Sequence, residues 1–406
     1  MDLLDRFLRK IIREGELTLI DPSGRKRTYG RDCGTGRRAT VRLADRKVVR
    51  DVLRQPKVAI GEAYMDGRLI LEQGDILDLL DLATSNVPWE RGGRSRKAIG
   101  RGSRKLAGAL WGLNDRRRSA RNVAHHYDLS DRLYDLFLDS DRQYSCAYFN
   151  DPTDTLEQAQ TAKKAHIAAK LYLKPGQRVL DIGCGWGGMA LYLHSQAEVD
   201  VLGITLSQEQ LQVARRRAEE AGVADRVKFE LLDYRNVEGR FDRIVSVGMF
   251  EHVGRRHFGQ FFQKCRQLLK DDGVMLLHTI GRMGAPGLPN RWTSKYIFPG
   301  YYVPALSEMV ASSEKAKLIA ADVEMLRLHY AYTLEHWYRR VQDKRREIVD
   351  LYDERFLRMW EFYLASTIVG FRHGGMINYQ VQYIRDRHAL PITRDYMIEE
   401  EARLRS

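Results

Sequence analysis

The chain of 406 residues contains few cysteines and no long apolar run. Its four cysteines show neither metal-site nor disulfide-framework spacing, which predicts reduced thiols, no metal ion and a cytoplasmic protein: Cys33, Cys146, Cys184 and Cys265. No apolar stretch reaches the length of a membrane-spanning helix. Acidic residues among the first ten positions argue against a signal peptide. We therefore expect a globular protein, long enough for two domains.

Acidic residues are almost absent from one segment, residues 91–121. It holds eleven lysines and arginines and a single acid, Asp115, and so carries ten of the thirteen net positive charges. Its Gly, Ser and Ala content is typical of a solvated linker. Alternatively, the segment is a patch for an anionic surface, either a membrane or a nucleic acid. We predict a basic linker between an N-terminal domain, residues 1–90, and a second domain, residues 122–406.

Residues 1–90 have the pattern of a small α/β domain. Short strands are expected at 17–20 and 39–43, with a turn after the first. Near the N-terminus, six apolar residues recur at helical spacing: Leu3, Leu4, Phe7, Leu8, Ile11 and Ile12. Such a stripe either packs on the core of the domain or contacts lipid.

Strands and helices alternate in the second domain. Helices near 122–138 and 155–172 precede strands at 178–182, 199–204, 227–232, 241–247 and 274–279, with helices between them. This alternation predicts a doubly wound, Rossmann-like parallel sheet that binds its ligand beyond the carboxyl ends of the strands. The segment 282–304 is too irregular for either element. Helices at 305–316 and 331–365 and a late strand at 380–384 complete the prediction.

A glycine-rich turn follows the first of these strands. Asp181 lies in the strand, and three glycines after it allow a ligand to approach the backbone: Gly183, Gly185 and Gly187. A helix then begins, with its unpaired N–H groups facing the loop. The order Asp-x-Gly-x-Gly-x-Gly indicates S-adenosylmethionine rather than NAD. The alternative is a tight strand–helix turn without a ligand.

The ends of the next two strands offer further ligand contacts. Thr205, and Gln210 one helical turn later, would give a neutral contact to the ribose. Asp233 and Tyr234 would clamp the amine and the ring of adenine. Each residue alone is ordinary, but their positions at successive strand ends favour one cofactor cleft.

Catalytic candidates lie in four further motifs. They are Cys146 in 144–149, Glu251 after the fourth strand, His278 in the fifth strand and Tyr330 at the start of a late helix. An acid and a histidine at neighbouring strand ends, beside the expected cofactor, are typical of an active site.

In their order along the chain these motifs resemble those of the cyclopropane-fatty-acyl-phospholipid synthases, which belong with the mycolic acid cyclopropane synthases. The resemblance includes residues 126–130 (HYDLS), the Cys146 motif, the glycine turn and the motifs around Glu251 and His278. It extends over nearly the whole chain. The N-terminal domain resembles the extra domain of the phospholipid-acting branch.

The resemblance implies a class I methyltransferase that moves the methyl carbon of S-adenosylmethionine onto a cis double bond of a phospholipid acyl chain. Ring closure then gives a cyclopropane, with bound bicarbonate as the base. The implied bicarbonate cage is Cys146, Glu251, His278, Tyr330 and the backbone N–H of Ile280. The implied cofactor contacts are Tyr144, Ser145, Asp181, Gly183, Gly185, Trp186, Gly187, Thr205, Leu206, Ser207, Gln210, Asp233 and Tyr234. Relatives of this kind also suggest a homodimer.

Other functions remain open at this stage. Cys146 could act as a covalent nucleophile, and the product could be a methyl-branched or methylene lipid or a methylated small amine. We expect no nucleic-acid partner. The basic segment has no recognition motif, and Trp111 is the only aromatic residue among its lysines and arginines. Exposing about eight methylenes of an acyl chain to water would cost roughly 6 kcal/mol. The enzyme is therefore expected to dock on an anionic phospholipid bilayer, at the inner face of the membrane.

Overall fold

The computed structural model describes residues 2–91 and 130–405. Of the predicted basic linker only Arg91 is described, and of the HYDLS motif only Ser130; the rest of both lies outside the described residues. The described chain forms two units. The first comprises residues 2–91, Pro289–Pro299 and Leu334–Gly375, and the second comprises 130–288, Gly300–Thr333 and 376–405.

The first unit contains a four-stranded sheet made by β1 (Gly15–Ile20), β2 (Lys26–Arg31), β3 (Arg38–Leu43) and β4 (Leu69–Gln73). The strand order is β2-β1-β3-β4, and only the β1–β3 pair is parallel. Its N-terminal helices are α1 (Asp2–Ile11), α2 (Arg46–Arg54), α3 (Pro56–Met65) and α4 (Ile76–Ser85). The apolar stripe of α1 packs on this core except for Leu3, which is 67% exposed.

The second unit is built on seven strands, β5 (Arg178–Ile182), β6 (Asp200–Thr205), β7 (Val227–Leu231), β8 (Phe241–Val247), β9 (Leu269–Arg282), β10 (Ile319–Met325) and β11 (Met376–Ile384). They form one sheet in the order β10-β11-β9-β8-β5-β6-β7. The five strands from β9 to β7 are parallel, whereas β11 runs antiparallel to both β9 and β10. The predicted Rossmann-like sheet is confirmed, and the antiparallel edge is an addition to it.

The remaining helices are α5 (Asp131–Phe137), α6 (Leu156–Leu171), α7 (Gly188–Ala197), α8 (Gln208–Glu220), α9 (Phe258–Leu268), α10 (Arg291–Tyr296), α11 (Leu306–Lys315), α12 (His329–Asp343), α13 (Arg345–Leu351), α14 (Glu354–Arg372) and α15 (Asp395–Arg405). Apolar residues of α6, α7 and α8 form the core on one face of the large sheet, and α9 and α11 cover the other. The sheet is thus doubly wound. Within residues 2–91 and 130–405, no helix has the length and apolar character needed to cross a bilayer.

The units differ from the predicted domains in one respect. Helices α10, α13 and α14 belong to the first unit, where α14 packs against α3 and α4. The buried carboxylate of Glu361 on α14 accepts hydrogen bonds from Tyr64 at 2.7 Å and Gln342 at 2.9 Å. The division at residues 90 and 122 had assigned these helices to the C-terminal domain.

Predicted elements and observed elements agree best in the parallel sheet. The predicted strands 178–182 and 241–247 have the observed bounds. The long helix expected at 331–365 is instead three helices, α12, α13 and α14. The segment 282–304, expected to be irregular, contains α10. The sequence pattern did not predict strands β2 and β10 or helices α2, α3 and α15.

Candidate active site

A cleft opens at the carboxyl ends of the parallel strands β5 to β8. It encloses about 1170 Å³, including its open mouth. Eleven of the thirteen predicted cofactor residues line it: Tyr144, Ser145, Asp181, Gly183, Gly185, Trp186, Thr205, Leu206, Gln210, Asp233 and Tyr234. Gly187 and Ser207 do not line the cleft. Their roles are local and structural, as described next.

The glycine turn after β5 forms one wall of the cleft. Gly185 has φ +54°, and within residues 2–91 and 130–405 no atom beyond its chain neighbours lies within 4 Å of the position of a Cβ, so its backbone is open to a ligand. Gly187 has φ +87°, and a Cβ there would lie 2.8 Å from the ring of Phe229. Position 187 therefore needs glycine for packing, whereas position 185 provides the exposed backbone that a cofactor requires.

The end of β6 presents a pair of neutral polar side chains. The hydroxyl of Thr205 donates to Oε1 of Gln210 at 2.9 Å, and both residues are buried. With Oε1 engaged, Gln210 has its NH₂ group to donate into the cleft. Ser207 is the N-cap of α8, because its Oγ accepts a hydrogen bond from the N–H of Gln210 at 3.3 Å.

The end of β7 carries Asp233 and Tyr234. Asp233 forms an ion pair with Arg235, with 2.5 Å between Nη2 and Oδ2, and accepts the backbone N–H of Arg235 at 2.9 Å. Burial raises the pKa of Tyr234, whose ring also meets Phe261 edge-on at 5.3 Å. An adenine amine bound here would share the carboxylate of Asp233 with Arg235, which the residue pattern did not predict.

Glu251 lies in a short turn, Phe250–His252, directly after β8. Its Oε1 accepts the backbone N–H of Ile280 at 2.6 Å. Its Oε2 is buried and has no hydrogen-bond partner among the described residues. Burial raises the pKa of this carboxyl to about 7, although backbone N–H groups and the hydroxyl of Thr279 oppose the shift. Glu251 thus presents one anchored oxygen and one unsatisfied oxygen.

His278 lies in β9 opposite Val247, the last residue of β8. Lys170 donates to Oε1 of Gln380 at 2.9 Å, so the NH₂ of Gln380 faces Nδ1 of His278 at 3.2 Å. Nδ1 is therefore the acceptor, and the neutral imidazole carries its proton on Nε2. The amide of Asn378, 2.9 Å from Nε2, must then turn its oxygen toward the ring to accept that proton. Burial holds the pKa of His278 well below its usual range, which keeps the ring neutral.

Cys146 is buried in the loop that follows Ser145. Burial raises the pKa of its thiol, so the thiolate needed for nucleophilic attack is disfavoured. The next residue, Ala147, donates its N–H to the hydroxyl of Thr333 at 3.0 Å. This bond connects the Cys146 loop to α12, which also carries the buried Tyr330.

These residues fit a small bound anion in part. The unsatisfied Oε2 of Glu251 can accept a hydrogen bond from the hydroxyl of bicarbonate. The N–H of Ile280, expected to donate to that anion, donates to Glu251 instead. Positions 278 and 280 face the same side of β9, so Glu251 contacts the strand beside His278.

Sequence reasoning missed several residues that line the cleft: Arg142, Arg235, Met249 and His252. Burial lowers the pKa of His252 to about 4, so this imidazole is also neutral. His252 follows Glu251 directly in the sequence, so its position beside the predicted catalytic acid was a usable signal for it. Gln160 and Lys163, which form hydrogen bonds to residues of the cleft wall, had no comparable signal in the sequence.

The seven-stranded sheet with its antiparallel edge, and the cleft at its glycine turn, define a class I S-adenosylmethionine-dependent methyltransferase. Within that class, the chain belongs to the mycolic acid cyclopropane synthetase family, whose sequence model matches residues 114–381. The predicted resemblance is confirmed.

Individual relatives agree with this assignment. Cyclopropane-fatty-acyl-phospholipid synthase of Escherichia coli K12 is 39% identical over 86% of this chain and 88% of its own length. A probable fatty acid methyltransferase of Pseudomonas putida is 35% identical over 90% of this chain and 93% of its own. The crystal structure of mycolic acid cyclopropane synthase CmaA1, complexed with SAH and CTAB, covers 65% of this chain and 97% of that one at 33% identity, with a TM-score of 0.63. The bound SAH supports S-adenosylmethionine as the cofactor of this chain.

Proposed function

We propose that this chain transfers the methyl carbon of S-adenosylmethionine to a cis double bond of an unsaturated phospholipid acyl chain. The new methyl group then loses a proton to bound bicarbonate, and a cyclopropane ring closes. The observation that carries the proposal is the unsatisfied, buried Oε2 of Glu251. Glu251 does not itself line the cofactor cleft, but the next residue, His252, does. The similarity to the E. coli synthase supports the choice of substrate.

The cleft residues hold and orient the cofactor in this proposal. The exposed backbone at Gly185 receives its methionine part, and Gln210 donates to the ribose. An alkene is a poor nucleophile, so the methyl group must be held in line with it and away from water. The neutral state of His252 avoids placing a second positive charge beside the sulfonium.

Glu251 positions the base in this proposal. Bicarbonate, when bound, supplies the group that removes the proton. Glu251 accepts its hydroxyl on Oε2, while the bond from Ile280 fixes the carboxylate through Oε1. In this proposal Cys146, His278 and Tyr330, all of them buried, would complete the cage. A disfavoured thiolate argues for Cys146 as a cage residue and not as a nucleophile.

A methyl-branched or methylene lipid is the second candidate product. The P. putida relative, named a probable fatty acid methyltransferase, favours it at 35% identity over most of both chains. Purified protein should be incubated with cis-unsaturated phospholipid vesicles and S-adenosylmethionine. Proton NMR of the product lipid tests the proposal: ring proton signals support it, while a new methyl branch or methylene signal supports the second candidate. No modified lipid would reject both.

We further propose that the enzyme acts as a homodimer on anionic phospholipid at the cytoplasmic face of the membrane. The chemistry of the acyl substrate supports docking on the membrane. So does α1, which exposes Leu3 and carries the basic residues Arg9 and Lys10 in its last turn. The basic segment 91–121 supplies further positive charge. Sedimentation equilibrium tests the dimer, and a purely monomeric mass at micromolar concentration would contradict it.

A further inference from the structure

Helix α6 presents a buried polar face. Gln160, Lys163 and Lys164 are spaced at i, i+3 and i+4, so they lie together on one side of the helix. All three are buried, and Lys163 has no exposed surface at all. A fully buried lysine is rare unless it is paired. The question is what this ammonium group does there.

The polar face of α6 holds the loop that forms one wall of the cofactor cleft. Gln160 donates its amide protons to the backbone oxygens of Gln143 at 3.1 Å and Ser145 at 3.0 Å. Lys163 donates from Nζ to Oε1 of Gln143 at 2.5 Å and to Oγ of Ser145 at 2.9 Å. Both Gln143 and Ser145 line the cleft. One helix therefore fixes the backbone and the side chains of this wall.

The charge of Lys163 is not neutralised by contact with a carboxylate within the described residues. Its two hydrogen-bond acceptors are neutral oxygens, and Asp139, Asp141 and the buried Asp181 act only at longer range. Burial lowers the pKa of this lysine to about 8. An ammonium group in this setting is destabilising unless a further negative charge comes near. A bound anion in the cleft would supply that charge.

Ser145 connects the lysine to the cleft. Oγ of Ser145 accepts a hydrogen bond from Lys163, so the hydroxyl proton of Ser145 must point elsewhere, and Ser145 lines the cleft. With the ribose at Thr205 and the adenine at Asp233, the amino-acid end of the cofactor lies toward β5 and this loop. That end carries a carboxylate.

We propose that Lys163 is a positioning residue for the α-carboxylate of S-adenosylmethionine, acting through the hydroxyl of Ser145. The lysine orients the serine proton toward the carboxylate and supplies the positive charge that compensates it. This inference rests on the cofactor site proposed above. It predicts that this chain binds a cofactor with a carboxylate more tightly than one without it, and that this preference depends on Lys163, which does not line the cleft.

The test compares the binding of S-adenosylmethionine and decarboxylated S-adenosylmethionine by calorimetry. For the unaltered chain we expect roughly tenfold to a hundredfold tighter binding of the carboxylate form, as for a hydrogen bond to a charged group. Lys163→Met should lose most of this preference by weakening only the carboxylate form. Lys164→Met is the matched control: it removes the same group from the same helix face, but Lys164 donates to Asp141, which does not line the cleft. Because Asp141 also accepts a hydrogen bond from Gln143, any effect of this variant should weaken the binding of both ligands alike. The variant should keep the preference.

The alternatives give different results. If Lys163→Met weakens the binding of both ligands equally, the lysine has a purely structural role. If the preference for the carboxylate form is unchanged, the lysine has no role in it. Either result overturns the inference but leaves the cofactor site in place. If Lys163→Met does not fold, Ser145→Ala, which retains the lysine, should show the same selective loss, and an unchanged preference there would overturn the inference. If the unaltered chain binds neither ligand, the proposed cofactor site fails as well.

Discussion

At the scale of single residues, the proposed chemistry depends on how burial changes titratable groups around the cleft. Burial raises the pKa of Glu251 and of Asp181 to about 7 and lowers the pKa of His278, which stays neutral. Methyl transfer would break the S–CH₃ bond of the sulfonium and leave a positive charge on the acyl chain, which nearby neutral histidines do not oppose. The site also needs an acceptor that can hold a small anionic base in place. Glu251 meets this need, because only one of its oxygens is satisfied by the described residues.

Replacing Glu251 by glutamine should lower turnover by roughly a hundredfold or more, the lower range for loss of general-base catalysis. Glutamine keeps an oxygen for the N–H of Ile280 but places an NH₂ donor where Oε2 of Glu251 would accept. Cofactor affinity should remain close to normal, since Glu251 does not line the cofactor cleft. Steady-state kinetics and calorimetric titration measure the two effects. Loss of cofactor binding in this variant would contradict the assigned role.

The same substitution should alter the pH dependence of stability. Between pH 4.5 and about 7 the folded chain keeps a proton on Glu251 that the unfolded chain has released, so this group lowers stability as pH rises. Glutamine does not titrate. Relative to the unaltered chain, Glu251→Gln should therefore gain stability between about pH 5 and pH 8, by at most roughly 3 kcal/mol. Denaturant unfolding of both proteins at pH 5 and pH 8 measures this gain in the free energy of unfolding. If the difference between the two proteins were the same at both pH values, Glu251 would not be buried as described.

The residues of the site differ in how far the sequence could predict them. The glycine turn and the ends of β6, β7 and β8 follow from a pattern within a few residues, and the structure brings most of them to one cleft. The partners of His278 could not be inferred, because Asn378 and Gln380 lie about a hundred residues further on. Lys163 was not recognised because charged positions on a helix usually face solvent.

At the scale of elements, buried parallel strands were the easiest to predict. β5 and β8 are short apolar runs that end in turn residues, and their bounds agree with the expectation. β10 was missed because it is an edge strand in which exposed and half-buried residues alternate, with acids at Asp322 and Glu324. The helix expected at 331–365 is interrupted near Asp353, whose side chain caps α14 by accepting the N–H of Phe356.

The pairing of β9 with β11 gives a prediction at this scale. A Cβ added at Gly281 of β9 would overlap the ring of Tyr379 in β11. Gly281→Ala should therefore destabilise the protein by about 1–3 kcal/mol, as overpacking of a core usually does. In α9, Gly259 has open space around a Cβ. Gly259→Ala, the control, should raise stability by up to about 1 kcal/mol. Equal melting temperatures for the two variants would argue against the strand register.

At the scale of the whole molecule, the chain combines a methyltransferase sheet with a smaller unit assembled from three parts of the sequence. The alternation of strands and helices predicted the parallel part of the large sheet. It could not predict that α14 packs against α3 and α4, since that depends on tertiary contacts alone. The uneven charge of the chain was visible from the start. Its role in bringing the enzyme to lipid is still a proposal.

Docking on an anionic surface should depend on salt. If segment 91–121 and α1 attach the enzyme through positive charge, it should cosediment with vesicles that contain anionic phospholipid and dissociate as salt rises. Neutral vesicles of the same acyl composition are the matched control and should bind weakly. Binding that does not change with salt, or equal binding to both vesicles, would contradict electrostatic docking.

The central claim is that the transferred methyl group loses one proton within this site. Its most direct test uses S-adenosylmethionine with a trideuterated methyl group and a cis-unsaturated phospholipid, followed by mass spectrometry of the acyl product. We predict two deuterium atoms in each modified chain, because one is removed as the ring closes. A product that retains all three deuterium atoms would contradict the claim.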